Sequence, residues 1–466
     1  MAMTDLLKAD KGQPATTIHL VDENSFTDWR AAQPARVRTL LDARRFDGKT
    51  GYSNIIIPGD GEDEWSVVTT VANVDELSPW CLAKLAQVLP GGTYRLADDR
   101  HPGPAKLGWI LAQHRFDIYR SEPEEPAGPR VLLASDVADM ERTARLADAT
   151  TLVRDLINTP ADDMGPAQIE EVIRKLGDKH DASVTVTKGD GLEQGYPMIH
   201  AVGRAAAKGR EPRLVELEWG RKDAPRIAIV GKGVVFDTGG LSMKTGRGMA
   251  LMKKDMGGAA HAIALARVVM ESRLPVRLHL LIPTVENSVD ANAIRPSDII
   301  KSRKGLTVEV DNTDAEGRLI LGDALTKAGE SEPELIIDYA TLTGAARVAL
   351  GPDLPPMFAN DDDLAKDLED GAEQESDPIW RMPLWSDYNS MHKSTIADMV
   401  NSGGSPFAGC ITAALFLQRF VPSEIAWAHF DTFGWMPNAK PGRPKGGEAY
   451  GLRAAFAMLE QRFTAK

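Results

Sequence analysis

Cysteine is nearly missing from this 466-residue chain: only Cys81 and Cys410 occur, too few for a disulfide framework, which points to a reducing compartment. No run of eighteen apolar residues is present, so there is no candidate membrane-spanning helix. The opening MAMTDLLKADKGQPATTIHL lacks the apolar stretch of a secretory leader. Cytoplasm is the expected location. Positive charge is scarce too. The net charge of −13 opposes non-specific nucleic-acid binding and attraction to anionic membranes. The glycine-rich stretches also lack nucleotide fingerprints. GDGLEQGYP (Gly189 to Pro197) has no Lys-Ser/Thr ending, and Gly231-Lys232-Gly233 falls short of the dinucleotide motif.

What is present divides naturally. A chain of 466 residues exceeds one typical core, so two domains are expected. Residues 1–134 alternate strand-like runs (Thr17 to Val21, Ser53 to Ile57, Ser66 to Val71) with helix-like ones (Ser78 to Leu89, Ala105 to Tyr119). EPEEPAGP (Glu122 to Pro129) reads as a loop, and RVLLAS after it as one further strand. Residues 135–158 form a connecting helix that ends at Asn158-Thr159-Pro160. Residues 159–466 alternate again, with strands at Leu214 to Trp219, Arg226 to Phe236, Arg277 to Ile282, Leu335 to Tyr339 and Ala426 to Phe430. The acidic run Asp361 to Asp377 reads as a solvated helix or loop. The expected fold class is α/β: a small N-terminal α/β domain and a larger C-terminal domain with a mixed, mainly parallel sheet flanked by helices.

Chemistry concentrates between Lys232 and Glu316. Four carboxylates, Asp237, Asp255, Asp314 and Glu316, stand beside glycine-rich turns where strands give way to helices, with Lys232, Lys244 and Arg318 among them. Ligands in open parallel sheets gather outside the carboxyl ends of the strands. Residues five apart on a regular strand face opposite ways, so Lys232 and Asp237 converge only if the glycines introduce a bulge or bend. Asp314 and Glu316 are two apart, and an extended backbone points both to one side. Any one acid alone is read as a solvated loop residue near a helix start. Four together repel one another unless positive charge lies between them, and two divalent cations would balance them. No histidine or cysteine falls in the two acid-bearing segments, so the site is hard and oxygen-rich, leaving zinc, manganese, cobalt or magnesium open. Two such metals, roughly 3.5–4 Å apart, generate a hydroxide and polarise a scissile carbonyl.

GKGVVFDTGG, MKKDMGGAA and NTDAEGRL resemble the signature motifs of the leucine aminopeptidase (cytosol aminopeptidase) family of dinuclear metallopeptidases. The likeness continues through INTP, DYATLTGA, ADMVNSGG and WAHFDTFG, covering about the last 310 residues. It implies a catalytic domain over 159–466, zinc or manganese as the first choice of metal, and short peptides with a free N-terminus as substrates. It further implies that Lys232, Asp237, Asp255 and Glu316 surround the tighter metal and that Asp237, Asp314 and Glu316 hold the exchangeable one. Lys244 would polarise the carbonyl, and Arg318 would hold a bicarbonate that serves as base. Met252, Asn312, Thr341, Gly344 and Met436 would form an apolar slot for leucine or methionine, which the bulky Phe433 narrows. A homohexamer is implied as well. Two other roles compete: a dipeptidase of cysteinylglycine-type substrates, and a DNA-binding role that the acidic balance and the absence of a basic-rich stretch in residues 1–134 count against.

Overall fold

β-Branched runs become strands where neighbouring carbonyls are free to pair, and end where a side chain or turn takes those carbonyls away. The computed structural model describes residues 3–122 and 128–464, so most of the EPEEPAGP segment lies outside the described residues. The chain forms two compact units. Residues 1–151 and 438–445 make the first, whose sheet comprises β1 (Leu7–Ala9), β2 (Thr16–Val21), β3 (Asn54–Pro58), β4 (Trp65–Thr70), β5 (Gly92–Leu96) and β6 (Arg130–Ala134). Their order is β1-β6-β5-β2-β4-β3, parallel except for the β3–β4 pair.

Two expected helices of this unit are shorter than their apolar periodicity implies. The run from Ser78 is helical only over Ala83–Val88, because the Pro79 carbonyl is taken by the Gly108 N–H. The helix from Ala105 stops at Leu111, and Gln113 beyond it bonds both the N–H and the carbonyl of Arg130. The long helix Val137–Asn158 begins in this unit, whose first segment ends at Thr151.

Residues 152–437 and 446–466 form the second unit. Its strands are β7 (Ser183–Lys188), β8 (Arg213–Trp219), β9 (Arg226–Gly231), β10 (Gly233–Asp237), β11 (Arg277–Asn287), β12 (Ile299–Lys301), β13 (Thr307–Glu309), β14 (Leu335–Ala340), β15 (Pro356–Ala359), β16 (Trp380–Arg381), β17 (Met399–Val400), β18 (Ala426–Asp431), β19 (Trp435–Met436) and β20 (Gly446–Gly447). The main sheet runs β16-β15-β18-β14-β9-β11-β8-β7, with β10 beside β11. Its centre, β18-β14-β9-β11, is parallel, while β8 joins β11, β7 joins β8 and β15 joins β18 in antiparallel fashion. This is the mixed, mainly parallel sheet expected. Every residue of β14 is buried, as befits a strand covered on both faces. The helix Gly257–Glu271 packs on β9 and β14, and the helix Glu316–Gly329 on β9 and β11. The acidic run is the helix Asp362–Glu375, with Asp361 accepting from Leu364 N as its cap. No helix among the described residues is long and apolar enough to cross a membrane.

One buried acid ties this layer together away from the catalytic motifs. Asp323, on the helix Glu316–Gly329, accepts from the backbone N–H groups of Met198, Ile199 and Arg303. Burial outweighs these three donors and raises the carboxyl to about 7. The folded chain therefore keeps a proton that the unfolded chain releases near its ordinary value of 3.8. The resulting stability is complete below that value and is lost as pH rises through about 7. Urea unfolding from pH 4 to 8 is expected to show this decline, and Asp323→Asn to flatten it. An unchanged slope in the variant would place the pH dependence elsewhere.

Candidate active site

The two glycines around Lys232 split one apolar run into β9 and β10, and Lys232 between them bridges two elements. Its N–H donates to Tyr339 O (2.9 Å), and its carbonyl accepts from Ala259 N (2.8 Å). The bulge that sequence spacing demanded exists, but it falls between Val234 and Asp237, where the register on β11 slips by one residue. Lys232 and Asp237 thereby reach one place. Asp255 closes a short 3-10 turn, Met252–Met256, just before the helix Gly257–Glu271. The expectation for Asp314 and Glu316 is corrected. They do not share one face of an extended segment: Asp314 lies in a turn, and Glu316 is the first residue of the helix Glu316–Gly329. A turn followed by a helix start brings them to the same region by a different route.

Asp237, Asp255 and Glu316 each place a carboxylate oxygen so that all three lie within 4.8 Å of one another, and all are buried. Lys232 Nζ sits 2.7 Å from Asp255 Oδ2 and 2.9 Å from Glu316 Oε1. Lys244 Nζ is 2.8 Å from Asp237 Oδ2 and also pairs with Asp314. Asp237 Oδ1 accepts from Gly239 N and Asn287 Nδ2, both at 2.8 Å, and Asp255 Oδ1 accepts from Thr341 Oγ1 at 2.8 Å. Burial, then the Asp237 carboxylate, push Glu316 up to about 8, and the same two causes push Asp314 up to about 6. Burial works against the Lys232 ammonium, yet Asp255, Glu316 and Asp237 outweigh it and hold it above the ordinary lysine value. The cluster is over-supplied with negative charge, and some of its oxygens remain poorly served. Among the described residues Glu316 Oε2 has no hydrogen-bond partner, and Asp255 Oδ2 and Asp314 Oδ1 have only a lysine ammonium for company.

The glycines of the motifs are there for close approach. A Cβ on Gly317 would stand 2.4 Å from Lys232 Cε, so the lysine stem crosses the first turn of its helix only because that residue has no side chain. A Cβ on Gly258 would lie 2.2 Å from Tyr339 O, which fixes how near the helix Gly257–Glu271 comes to β14.

Two residues that sequence reasoning did not single out hold the loops in place. Asn401 accepts from the N–H of Asp311 and of Asn312 and donates to the carbonyls of Asn312 and Ala315, while its own carbonyl accepts from Arg318 Nη1 (2.9 Å). Asp431 accepts from Leu342 N, Thr343 N and Thr343 Oγ1. Both stand inside quoted motifs, ADMVNSGG and WAHFDTFG. Their signal was a buried polar residue next to loop glycines.

The cluster opens into a cavity of about 520 Å³ that includes Lys232, Asp237, Lys244, Asp255, Asp314 and Arg318 in its wall. Met252, Asn312, Thr341 and Gly344 line it as expected. Met436 does not: it is buried in the β19–β20 ribbon, paired with Gly446. The wall also carries Phe433, Lys254 and Arg347. A larger cavity, about 690 Å³, near Lys179, Trp219 and Arg273 contains one carboxylate, Asp181, and so offers no acid cluster.

Residues 151–456 match the cytosol aminopeptidase family, catalytic domain, and residues 16–131 match the M17 aminopeptidase, N-terminal domain. The chain belongs to the cytosol aminopeptidase family. Within that family it is 44% identical over 370 residues to a probable cytosol aminopeptidase of Syntrophotalea carbinolica, covering 76% of this chain and 74% of the relative. The crystal structure of the cytosol aminopeptidase from Coxiella burnetii superposes with a TM-score of 0.92 at 42% identity, over 98% of this chain and 100% of that one. The bottromycin maturation enzyme BotP, in complex with Mn, gives 0.86 at 29% identity, over 96% and 100%.

Family membership makes this a metal-dependent aminopeptidase, a hydrolase of the exopeptidase type, and the residues present fit a divalent cation. Three buried carboxylates converge, and Glu316 Oε2 lacks a hydrogen-bond partner among the described residues. Gly317→Ala is expected to push Lys232 off Asp255 and Glu316 and to weaken metal retention by about tenfold or more, the effect typical of disturbing the groups that orient metal ligands. Metal content of the dialysed variant measures it. Full retention would show that the lysine stem can move aside.

Proposed function

We propose that this chain is a two-metal aminopeptidase that releases the N-terminal residue from short peptides with a free N-terminus. What supports the reading is the convergence of Asp237, Asp255 and the buried Glu316, with Asp237, Asp255, Lys232, Lys244 and Arg318 in the wall of one cavity, in a chain of this family. Asp237, Asp255, Asp314 and Glu316, joined by Lys232, would hold two divalent cations. Bound there, zinc or manganese, or else cobalt or magnesium, would supply an activated water and a polarised carbonyl.

The chain's own side chains supply the rest. Lys244 lies on the cavity wall with its side chain 16% exposed, close enough to solvent to meet a substrate, and directs positive charge at the oxyanion that develops as the peptide carbonyl is attacked. Arg318 has Nη1 committed to Asn401 while Nε has no partner among the described residues, which leaves donors for a small anion such as bicarbonate. That anion would take the proton, since the four acids are occupied as ligands. The homohexameric state and cytoplasmic location implied by the resemblance belong to the same proposal.

The test separates ligands from charge stabilisers. Asp255→Ala is expected to lose metal and activity together. Lys244→Ala is expected to keep its metal while turnover falls by about 10²–10³, as for a lost oxyanion donor. Metal content and turnover on leucine anilide are measured on the same preparations, with an N-acetylated peptide as control. Efficient cleavage of the blocked peptide, or a metal-free Lys244→Ala protein, would overturn the assignment.

A further inference from the structure

The cavity wall is more cationic than the proposed chemistry requires. Five positive side chains line it, Lys232, Lys244, Lys254, Arg318 and Arg347, against Asp237, Asp255 and Asp314, with Glu316 buried in the same cluster. If the four carboxylates are balanced by divalent cations, the surplus falls on the groups that are not ligands. Lys244 and Arg318 have the roles given above. Lys254 and Arg347 have none.

Both of these cations gather on one aromatic ring. The Arg347 guanidinium lies 4.5 Å from the centroid of the Phe433 ring, and Lys254 Nζ lies 5.5 Å from it. Lys254 is only 5% exposed, and its nearest carboxylate, Asp255 Oδ1, is 3.7 Å away, beyond hydrogen-bond reach. Arg347 makes no ion pair among the described residues. Its Nη2 lies 3.8 Å from where a Cβ on Gly344 would stand, so the side chain turns back toward the cavity wall. A ring face attracts a cation, but two like charges on one ring oppose each other, and the guanidinium edge keeps its donors free. Lys254 is left with an ion pair to Asp255 but no hydrogen bond to a carboxylate. The arrangement is satisfied when an anion joins the two cations.

We propose that Lys254, Arg347 and Phe433 form a carboxylate-binding subsite, so that the enzyme favours substrates bearing a carboxylate near the scissile bond over their neutral counterparts. The inference rests on the aminopeptidase reading and replaces the apolar slot expected from sequence. Two substrate groups have this chemistry: an aspartate or glutamate side chain at the N-terminal residue, and the terminal carboxylate of a dipeptide. Phe433 shortens the subsite, and its ring holds the guanidinium plane in place.

Isosteric pairs distinguish the sources. Aspartyl and asparaginyl anilides, and glutamyl and glutaminyl anilides, differ in side-chain charge and carry no terminal carboxylate. Leucylglycine and leucylglycine amide differ only at the C-terminus. The holoenzyme is expected to show a kcat/KM ratio of about 10 or more for the charged member of one kind of pair, which names the source. Arg347→Ala is expected to lower that ratio by about 10- to 100-fold, with Arg347→Lys restoring part of it. Arg347 is exposed, so the substitution leaves the core untouched. Ratios near one in every pair, or a ratio that Arg347→Ala leaves intact, would overturn the subsite while leaving the aminopeptidase reading standing. Release of no residue from any substrate, leucine anilide included, would instead sink that reading and this inference with it.

Discussion

Three buried carboxylates whose oxygens lie within 4.8 Å of one another cannot all stay ionised without positive charge among them. The rest of the site answers this constraint. Lys232 reaches Asp255 and Glu316 because the sheet breaks at its glycines. Lys244 reaches Asp237 and Asp314 because the loop after β10 folds back, its N–H donating to Thr238 O. Neutral donors do the finer work: Asn287 and the Gly239 N–H on Asp237, and Thr341 on Asp255. Burial and mutual repulsion raise Glu316 and Asp314, and that surplus of negative charge is what fits the place to divalent cations.

Much of each signature motif never touches the cluster. Asp338 accepts from Trp427 Nε1 (2.7 Å) and is 2.6 Å from His429 Nδ1, locking β14 to β18 from inside the sheet. Asp431, two residues on, holds the loop that carries Thr341 and Gly344. Asn401 links the Asp314 loop to Arg318. These are networks in a low dielectric, where each bond polarises the next, so deletions along them would not add.

The sequence made the positions of the acids legible, because they fall where β-branched runs stop and glycines start. It made the parallel centre legible for the same reason. The path of the chain between the acids was harder to read. Spacing by two implied an extended segment at Asp314 and Glu316, but periodicity gives no hint that a helix begins at the second of them. Apolar pattern alone carried the helices from Ser78 and Ala105 too far, since a carbonyl captured by Gly108 and a glutamine bound to Arg130 are tertiary events. The edge strand β7 and the short β15 passed unmarked. The pocket was the least legible part: Met436 turned into a ribbon, and Lys254 and Arg347 met on Phe433 from segments about ninety residues apart along the chain.

The helix Gly257–Glu271 follows Asp255 and rests on β9 and β14. It is buried at every position from Gly257 to Ala266 and again from Val268 to Met270. A helix with almost no solvent face has no side on which a change of volume can be absorbed. Sequence drift along it should be almost nil, whereas exposed side chains such as Val348 (87%) and Phe407 (75%) meet no such barrier. Tolerated change in this protein would therefore gather at exposed positions, while the helix behind the acids stays as it is.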